Sequence, residues 1–449
     1  MKISSEFVFI SVTSLANAQA SGTATVRLAQ ASGAPNQLAS AFIYGIPDNG
    51  TSVSNQIPES FYRDIGFQST RAGGAQLEAP NRGWAWGEYP GRFESSLSNY
   101  RTARAFGADF ILLPHDLWGA DGLNQNNVKY PGDDGDWSNY EKFLDTLFAD
   151  MKSNNMVEGV VYDIWNEPDI QGFWPRPWSQ YLELWSRTHK KLHLDFPEMI
   201  TSGPSTSSPP RQSDQNANQW LDHIVATNTI PNIWSWHNLY GGYVPEQSAS
   251  EFSAMRRARN LPSLPIDVNE YATPEEQRPS ASAWYISQFE RTNIRALRAN
   301  WASYGELHNF MANLLGRNQD GSYYPNGEYQ VYKYYNSMRD TRVATSGSAD
   351  GKFDVFATRG STRDSVKILA GSRLTTDEYD ITIEDMNAVG LPESGSVTIQ
   401  TLRFDWAGQF GQVDQPVNLG SYTHQYSGNK LTFWVRPATT STAYAFEFK

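Results

Sequence analysis

Between residues 41 and 340, short apolar runs alternate with segments of helical period, and this alternation limits the possible folds more tightly than any other feature of the chain. A run of four to seven apolar residues bounded by turn signals suits a strand covered on both faces, and the helical segments between supply the crossovers that parallel strands require. Eight strands are predicted: Ala41 to Gly45, Gln68 to Gly73, Asp109 to Leu113, Gly159 to Trp165, Met199 to Ser202, Ile233 to His237, Pro265 to Glu270 and Asn300 to Tyr304. Between them, Trp137, Tyr140, Leu144, Leu147, Phe148 and Met151 share one helical face, and Trp178, Tyr181, Leu182, Trp185, His189 and Leu192 share another. Eight such alternations predict an α/β chain closed into a (β/α)8 barrel over residues 41–340.

After Met338 the period changes to two. Val366, Ile368 and Ala370 alternate with polar neighbours, as do Ile381 and Ile383, Val397 and Ile399, Leu431, Phe433 and Val435, and Tyr444, Phe446 and Phe448. Residues 341–449 therefore predict an appended antiparallel β-sandwich, with Thr23 to Leu28, in the segment 21–40, as an early strand that joins it. Residues 1–20, MKISSEFVFISVTSLANAQA, carry a cationic start at Lys2, an apolar stretch from Phe7 to Ala16 and the small-residue patterns Ala16-Asn17-Ala18 and Ala18-Gln19-Ala20. These features predict a cleaved secretory signal and an extracellular protein. The acceptor triplet Asn49-Gly50-Thr51 is compatible with that route.

The net charge of −12 comes without a run of Lys or Arg, which argues against nucleic acid and anionic membranes as partners. With no cysteine, the chain has no disulfides, zinc-thiolate sites or thiol nucleophiles. No metal or cofactor motif emerges. His189 and His193 have the spacing of a helical metal pair, but Lys190 stands where a metalloprotease needs Glu. The run Gly132-Asp133-Asp134-Gly135-Asp136 lacks the alternating ligands and late glutamate of a calcium loop.

In a barrel of this kind, functional groups gather at the carboxyl ends of the strands. Those ends supply Arg71, then His115 and Asp116 in LLPHDLW, Asn166 and Glu167 in VVYDIWNEP, His237 and Tyr240 in WSWHNLY, and Glu270 in PIDVNEY. Strands four and seven face each other across the barrel, so Glu167 and Glu270 form a carboxylate pair. Glycoside hydrolysis needs such a pair: one carboxyl protonates the departing oxygen, while the other attacks the anomeric carbon, with a separation near ~5.5 Å, or activates water across a wider gap. Glu167, beside Trp165 and Asn166, is the expected acid, and Glu270, within reach of Arg71 or the Tyr240 hydroxyl, the expected ionised nucleophile. His115, Asp116, Trp118 and Trp301 are candidate sugar contacts, and Trp84, Trp86 and Trp174 further stacking surfaces.

The WNEPD sequence after strand four, the glutamate closing strand seven, the arginine closing strand two and His-x-x-Tyr after strand six resemble the retaining glycoside hydrolases of clan A. With the sandwich built from both chain ends, the whole chain is most similar to glycoside hydrolase family 39. The resemblance implies Glu167 as acid/base, Glu270 as nucleophile and Asn166 as a ligand of the hydroxyl next to the anomeric centre. It also implies an oligosaccharide or polysaccharide substrate, with xylosides, arabinosides and glucosides among the family's sugars. Tyr271 departs from it, standing where members often carry Trp. The alternative from another class is a non-catalytic carbohydrate-binding or cell-surface protein on the same barrel.

Overall fold

The computed structural model describes residues 20–121, 128–240 and 242–449. The expected signal over residues 1–20 lies outside these except for Ala20, as does part of the segment after the third barrel strand. With strands numbered in chain order, β1 (Thr23–Ala31) precedes the barrel. The barrel strands are β2 (Ala41–Ile43), β3 (Ser69–Ala72), β4 (Asp109–Leu112), β5 (Val160–Asp163), β6 (Ile200–Thr206), β7 (Ile233–Asn238), β8 (Ile266–Tyr271) and β9 (Arg295–Arg298). They pair in parallel in that order, and Phe42 opposite Arg298 closes the ring. The helices Ser138–Ser153 and Trp178–Asp195 bury the faces their periodicity defines, through Tyr140, Leu144, Leu147 and Met151 in one and Tyr181, Trp185, His189 and Leu192 in the other.

The eighth barrel strand is Arg295–Arg298, and the predicted Asn300 to Tyr304 is the loop beyond it. RALR, half arginine, reads as exposed chain, yet both arginines are largely buried because each has fixed carboxylate partners. Arg298 donates from Nε and Nη2 to Glu328 at 2.7 and 2.6 Å. Arg295 donates from Nε and Nη2 to Asp267 at 2.9 and 2.5 Å and from Nη1 to Asp109 at 2.7 Å. Paired this way, the charges satisfy one another out of water.

A short hairpin, β10 (Leu315–Arg317) and β11 (Tyr323–Pro325), precedes the last barrel helix, Gly327–Ser337. Then follow β12 (Thr341–Ser346), β13 (Phe353–Arg359), β14 (Lys367–Ser372), β15 (Tyr379–Glu384), β16 (Gly395–Phe404), β17 (Val417–Tyr426), β18 (Lys430–Val435) and β19 (Ala443–Phe448). With β1 they form one run of pairings in the order β17-β16-β19-β14-β13-β12-β1-β15-β18. β12 pairs with β1 through Thr345 and Ser346 but with β13 through Thr341 and Arg342, so it is the corner where one layer becomes the other. Val26, Leu28, Ile381 and Ile383 from one layer share a core with Val355, Ile368, Ile399 and Phe448 from the other.

The sandwich docks on the helix Pro279–Thr292, which follows β8. Contact is close because Gly371 lacks a side chain: a Cβ there would lie 2.2 Å from the Ser280 carbonyl oxygen. Arg291 pairs with Asp354, and Arg342 with Glu290 at 2.9 Å, across the same junction. Replacing Arg298 with Met should strand the Glu328 carboxylate in the core and cost about 3–5 kcal/mol, part of which the second change Glu328→Gln restores. Urea unfolding of the three proteins checks this; equal midpoints for wild type and Arg298→Met would contradict it.

Candidate active site

The upper interior of this barrel is polar, where branched apolar side chains usually fill such barrels. At its centre is Arg71, the third residue of β3, whose side chain has no solvent exposure. Its Nε donates to Asp163 Oδ2 at 2.9 Å, its Nη1 to Glu270 Oε1 at 2.6 Å and its Nη2 to Asn166 Oδ1 at 2.8 Å. Asp163 also accepts from Ser205 Oγ at 2.8 Å and from Asn269 Nδ2 at 2.9 Å. Burial pushes the Asp163 carboxyl upward, and the Arg71 charge and the Ser205 hydroxyl pull it back.

Asn269 and Glu270 are consecutive in β8, yet both reach this network. An irregularity in the ladder allows it: the register of β8 shifts against β7 next to His237 and against β9 between Val268 and Tyr271. A bulge breaks strand alternation and re-aims side chains, which is what two successive inward residues require. Glu167 is turned by a different device. Its φ is +40°, unusual for a residue with a side chain, and its N–H donates to the Ser205 carbonyl at 2.9 Å.

His237 connects the two glutamates. Its Nδ1 lies 2.8 Å from Glu167 Oε1 and its Nε2 lies 3.7 Å from Glu270 Oε1. Burial lowers the His237 pKa to about 4, so the ring is neutral near pH 7 and carries one proton. A bare Nε2 lone pair facing the Glu270 carboxylate would be repulsive, so the favoured tautomer protonates Nε2 and leaves Nδ1 to accept from a Glu167 carboxyl proton. Burial raises the Glu167 pKa to about 7, with Arg71 and His115 opposing. Burial also raises Glu270, against the opposing pull of His237 and Arg71, and Glu167 raises it further. What distinguishes the two is contact: Glu270 receives a charged guanidinium hydrogen bond and Glu167 does not.

Around this centre, His115 sits with Nδ1 2.7 Å from Asp116 Oδ1 and its ring edge-on to Trp165 and Phe173. Among the described residues, its buried Nε2 has no hydrogen-bond partner. Asp116 is 4% exposed and also accepts from the Tyr44 hydroxyl, so it supports the His115 layer from behind. Trp118 does not line the site. Its ring is 1% exposed, packs edge-on against Tyr140 and Phe143 and donates to the Lys129 carbonyl, because the short helix Pro114–Trp118 turns it into the barrel wall. Trp174 is likewise core, and Trp84 packs against Tyr89 and Phe143.

Tyr240 lies at the rim, 63% exposed and edge-on to Trp301 at 5.8 Å. Glu270 is held by Arg71, with His237 Nε2 3.7 Å away, in place of the Tyr240 hydroxyl. Sequence reasoning missed Asp163, Asn269, Ser205 and Tyr44. For Asp163 a signal existed: a carboxylate inside the apolar run VVYDIW needs a buried cation opposite it. Among the described residues, no group of three or more His, Asp or Glu could hold a metal ion, and no helix is long and apolar enough to cross a membrane.

No protein-family model and no curated protein matches the sequence. Solved structures do match the fold. The N2152 protein of Neocallimastix frontalis is 18% identical with a TM-score of 0.74, over 95% of this chain and 99% of that one. A glucosidase from Croceicoccus marinus is 14% identical with a TM-score of 0.62, over 95% and 99%. A family 39 glycoside hydrolase, a β-xylosidase from Caulobacter crescentus, is 13% identical with a TM-score of 0.57, again over 95% and 99%. At these identities the likeness is one of fold.

The raised Glu167 pKa has a consequence for stability. A carboxyl that binds its proton more tightly when folded stabilises the fold at low pH and loses that contribution as pH rises from the ordinary carboxylate value through about 7. Wild type should therefore lose on the order of 3 kcal/mol relative to Glu167→Gln between about pH 4 and pH 8. Urea unfolding of both proteins across that range measures it; parallel profiles would contradict the account.

Proposed function

We propose that the protein is a secreted retaining glycoside hydrolase, similar to family 39, that cleaves O-glycosidic bonds in oligo- or polysaccharides without a cofactor. The observation that carries this is the unequal pair at the barrel mouth: Glu270 takes a hydrogen bond from the Arg71 guanidinium, and Glu167, with none from a cationic side chain among the described residues, has its pKa raised to about 7. Similar folds described as a glucosidase and a β-xylosidase support a glycoside as the substrate class. The expected leader in residues 1–20 supports secretion.

In the first step the ionised Glu270 attacks the anomeric carbon as Glu167 gives its proton to the leaving oxygen, forming a glycosyl ester on Glu270. Arg71 keeps Glu270 charged before attack. As the leaving group departs, Glu167 becomes a carboxylate beside the neutral His237, ready to take a proton from the water that opens the ester. Arg71 also fixes the Asn166 amide through Oδ1, which turns its NH₂ group away from the guanidinium as a donor for a sugar hydroxyl. The His115 Nε2, without a partner among the described residues, is a second candidate contact.

Purified protein and its Glu270→Gln variant should be compared on aryl glycosides and on plant, fungal and bacterial polysaccharides. The variant should lose turnover by ~10³-fold or more, as removal of a nucleophile does, and still bind. Binding without cleavage by wild type would favour the carbohydrate-binding alternative. For wild type, kcat/KM should fall above about pH 7 as Glu167 loses its proton, and fall on the acid side once Glu270 is protonated. A rate still rising past pH 8 would contradict Glu167 as the acid.

A further inference from the structure

Arg373 follows the sandwich strand β14 but makes its side-chain contacts in the barrel. Nε donates to Glu276 Oε1 at 2.6 Å, Nη1 to the Tyr243 carbonyl at 2.7 Å and Nη2 to the Tyr285 hydroxyl at 3.2 Å, with the guanidinium 4.9 Å above the Trp284 ring. Tyr243 belongs to the loop after β7 and Glu276 to the loop after β8, the strands that carry His237 and Glu270. One side chain of the second layer thus joins two loops of the active mouth.

The contacts continue to the rim. Glu276, 4% exposed, takes the Tyr285 hydroxyl and the Thr273 N–H on Oε2 at 2.9 and 3.0 Å, which folds its loop back on itself. The preceding Ala272 is held at φ +72°, a conformation that costs roughly 1 kcal/mol or more for a residue with a Cβ and must be imposed by its surroundings. Its carbonyl accepts from Trp301 Nε1 at 2.9 Å, and Trp301 meets Tyr240 edge-on. On the other branch, Asn238 Nδ2 approaches the Tyr243 carbonyl at 3.5 Å, next to His237.

We propose that Arg373 is a positioning residue for substrate binding, by which the β-sandwich fixes the loops after β7 and β8 so that Tyr240 and Trp301 form one aromatic wall beside the carboxylate pair. The wall suits the apolar face of a sugar ring one position away from the cleaved bond. Arg373 touches neither Glu167 nor Glu270, so its loss should weaken binding and leave the proton chemistry alone. The inference rests on the hydrolase reading above.

The test compares wild type, Arg373→Met and Arg373→Lys on one cleaved oligosaccharide, reading kcat, KM, the pH profile and the thermal midpoint. Arg373→Met should raise KM by ~10-fold with kcat within ~3-fold and the pH profile unmoved. Arg373→Lys keeps the charge near Glu276 but cannot span all three acceptors, so it should recover part of the KM. Should Arg373→Met fail to fold, Glu276→Gln, which keeps the side-chain volume, is expected to show the same division. An unchanged KM with a lowered thermal midpoint would make Arg373 a structural tie only, and a shifted pH profile would place its effect in the chemistry; either overturns the proposal. A wild-type protein that cleaves no glycoside overturns the hydrolase reading, and this inference with it.

Discussion

A guanidinium with no access to water organises the barrel. Burying Arg71 would cost several kcal/mol if its charge were left alone, and the cost is met only by acceptors placed around the whole fork. Those acceptors come from three other places in the chain: Asp163 on β5, Asn166 just beyond it and Glu270 on β8. The contacts that tie β3 to β5 and β8 are therefore the contacts that assemble the site. Burial and contact together settle the charge states: desolvation lifts the Glu167 carboxyl, Arg71 and His115 oppose it only in part, and the guanidinium hydrogen bond goes to Glu270. Glu167 therefore keeps its proton to near pH 7.

The backbone departs from regularity where this network demands it. Glu167 and Ala272 occupy positive φ, and β8 changes register beside His237 and Glu270. Each departure costs stability, and the surrounding contacts over-determine it: the Glu167 N–H on Ser205, the Ala272 carbonyl on Trp301, Asn269 on both Asp163 and Ser205. The sandwich contributes from outside, by docking on the helix after β8 and reaching the loops after β7 and β8 through Arg373.

The parts of this arrangement written in local sequence were readable in advance. Seven of the eight barrel strands overlap the apolar runs that predict them, because a strand covered on both faces has nowhere to put polar residues. Asn166, Glu167, Glu270 and Arg71 stood out as polar residues at the ends of such runs. What stayed hidden depends on partners distant in sequence. Arg295 and Arg298 read as surface until Asp267, Asp109 and Glu328 are seen beside them. The Trp118 ring reads as a loop aromatic until a five-residue helix turns it inward. Tyr44 reaches Asp116 only because the first and third barrel strands are both within reach of it, a proximity no periodicity encodes.

The central claim is that Arg71 divides the roles, holding Glu270 charged while Glu167 keeps a proton to near pH 7. The most direct measurement is a carbon-13 NMR titration of the glutamate side-chain carboxyls, with the two resonances assigned by Glu167→Gln and Glu270→Gln. Glu167 should titrate near pH 7, with Glu270 already ionised below that point. If Glu270 instead holds the proton while Glu167 ionises in the ordinary carboxylate range, the assignment of acid and nucleophile is reversed and the account fails.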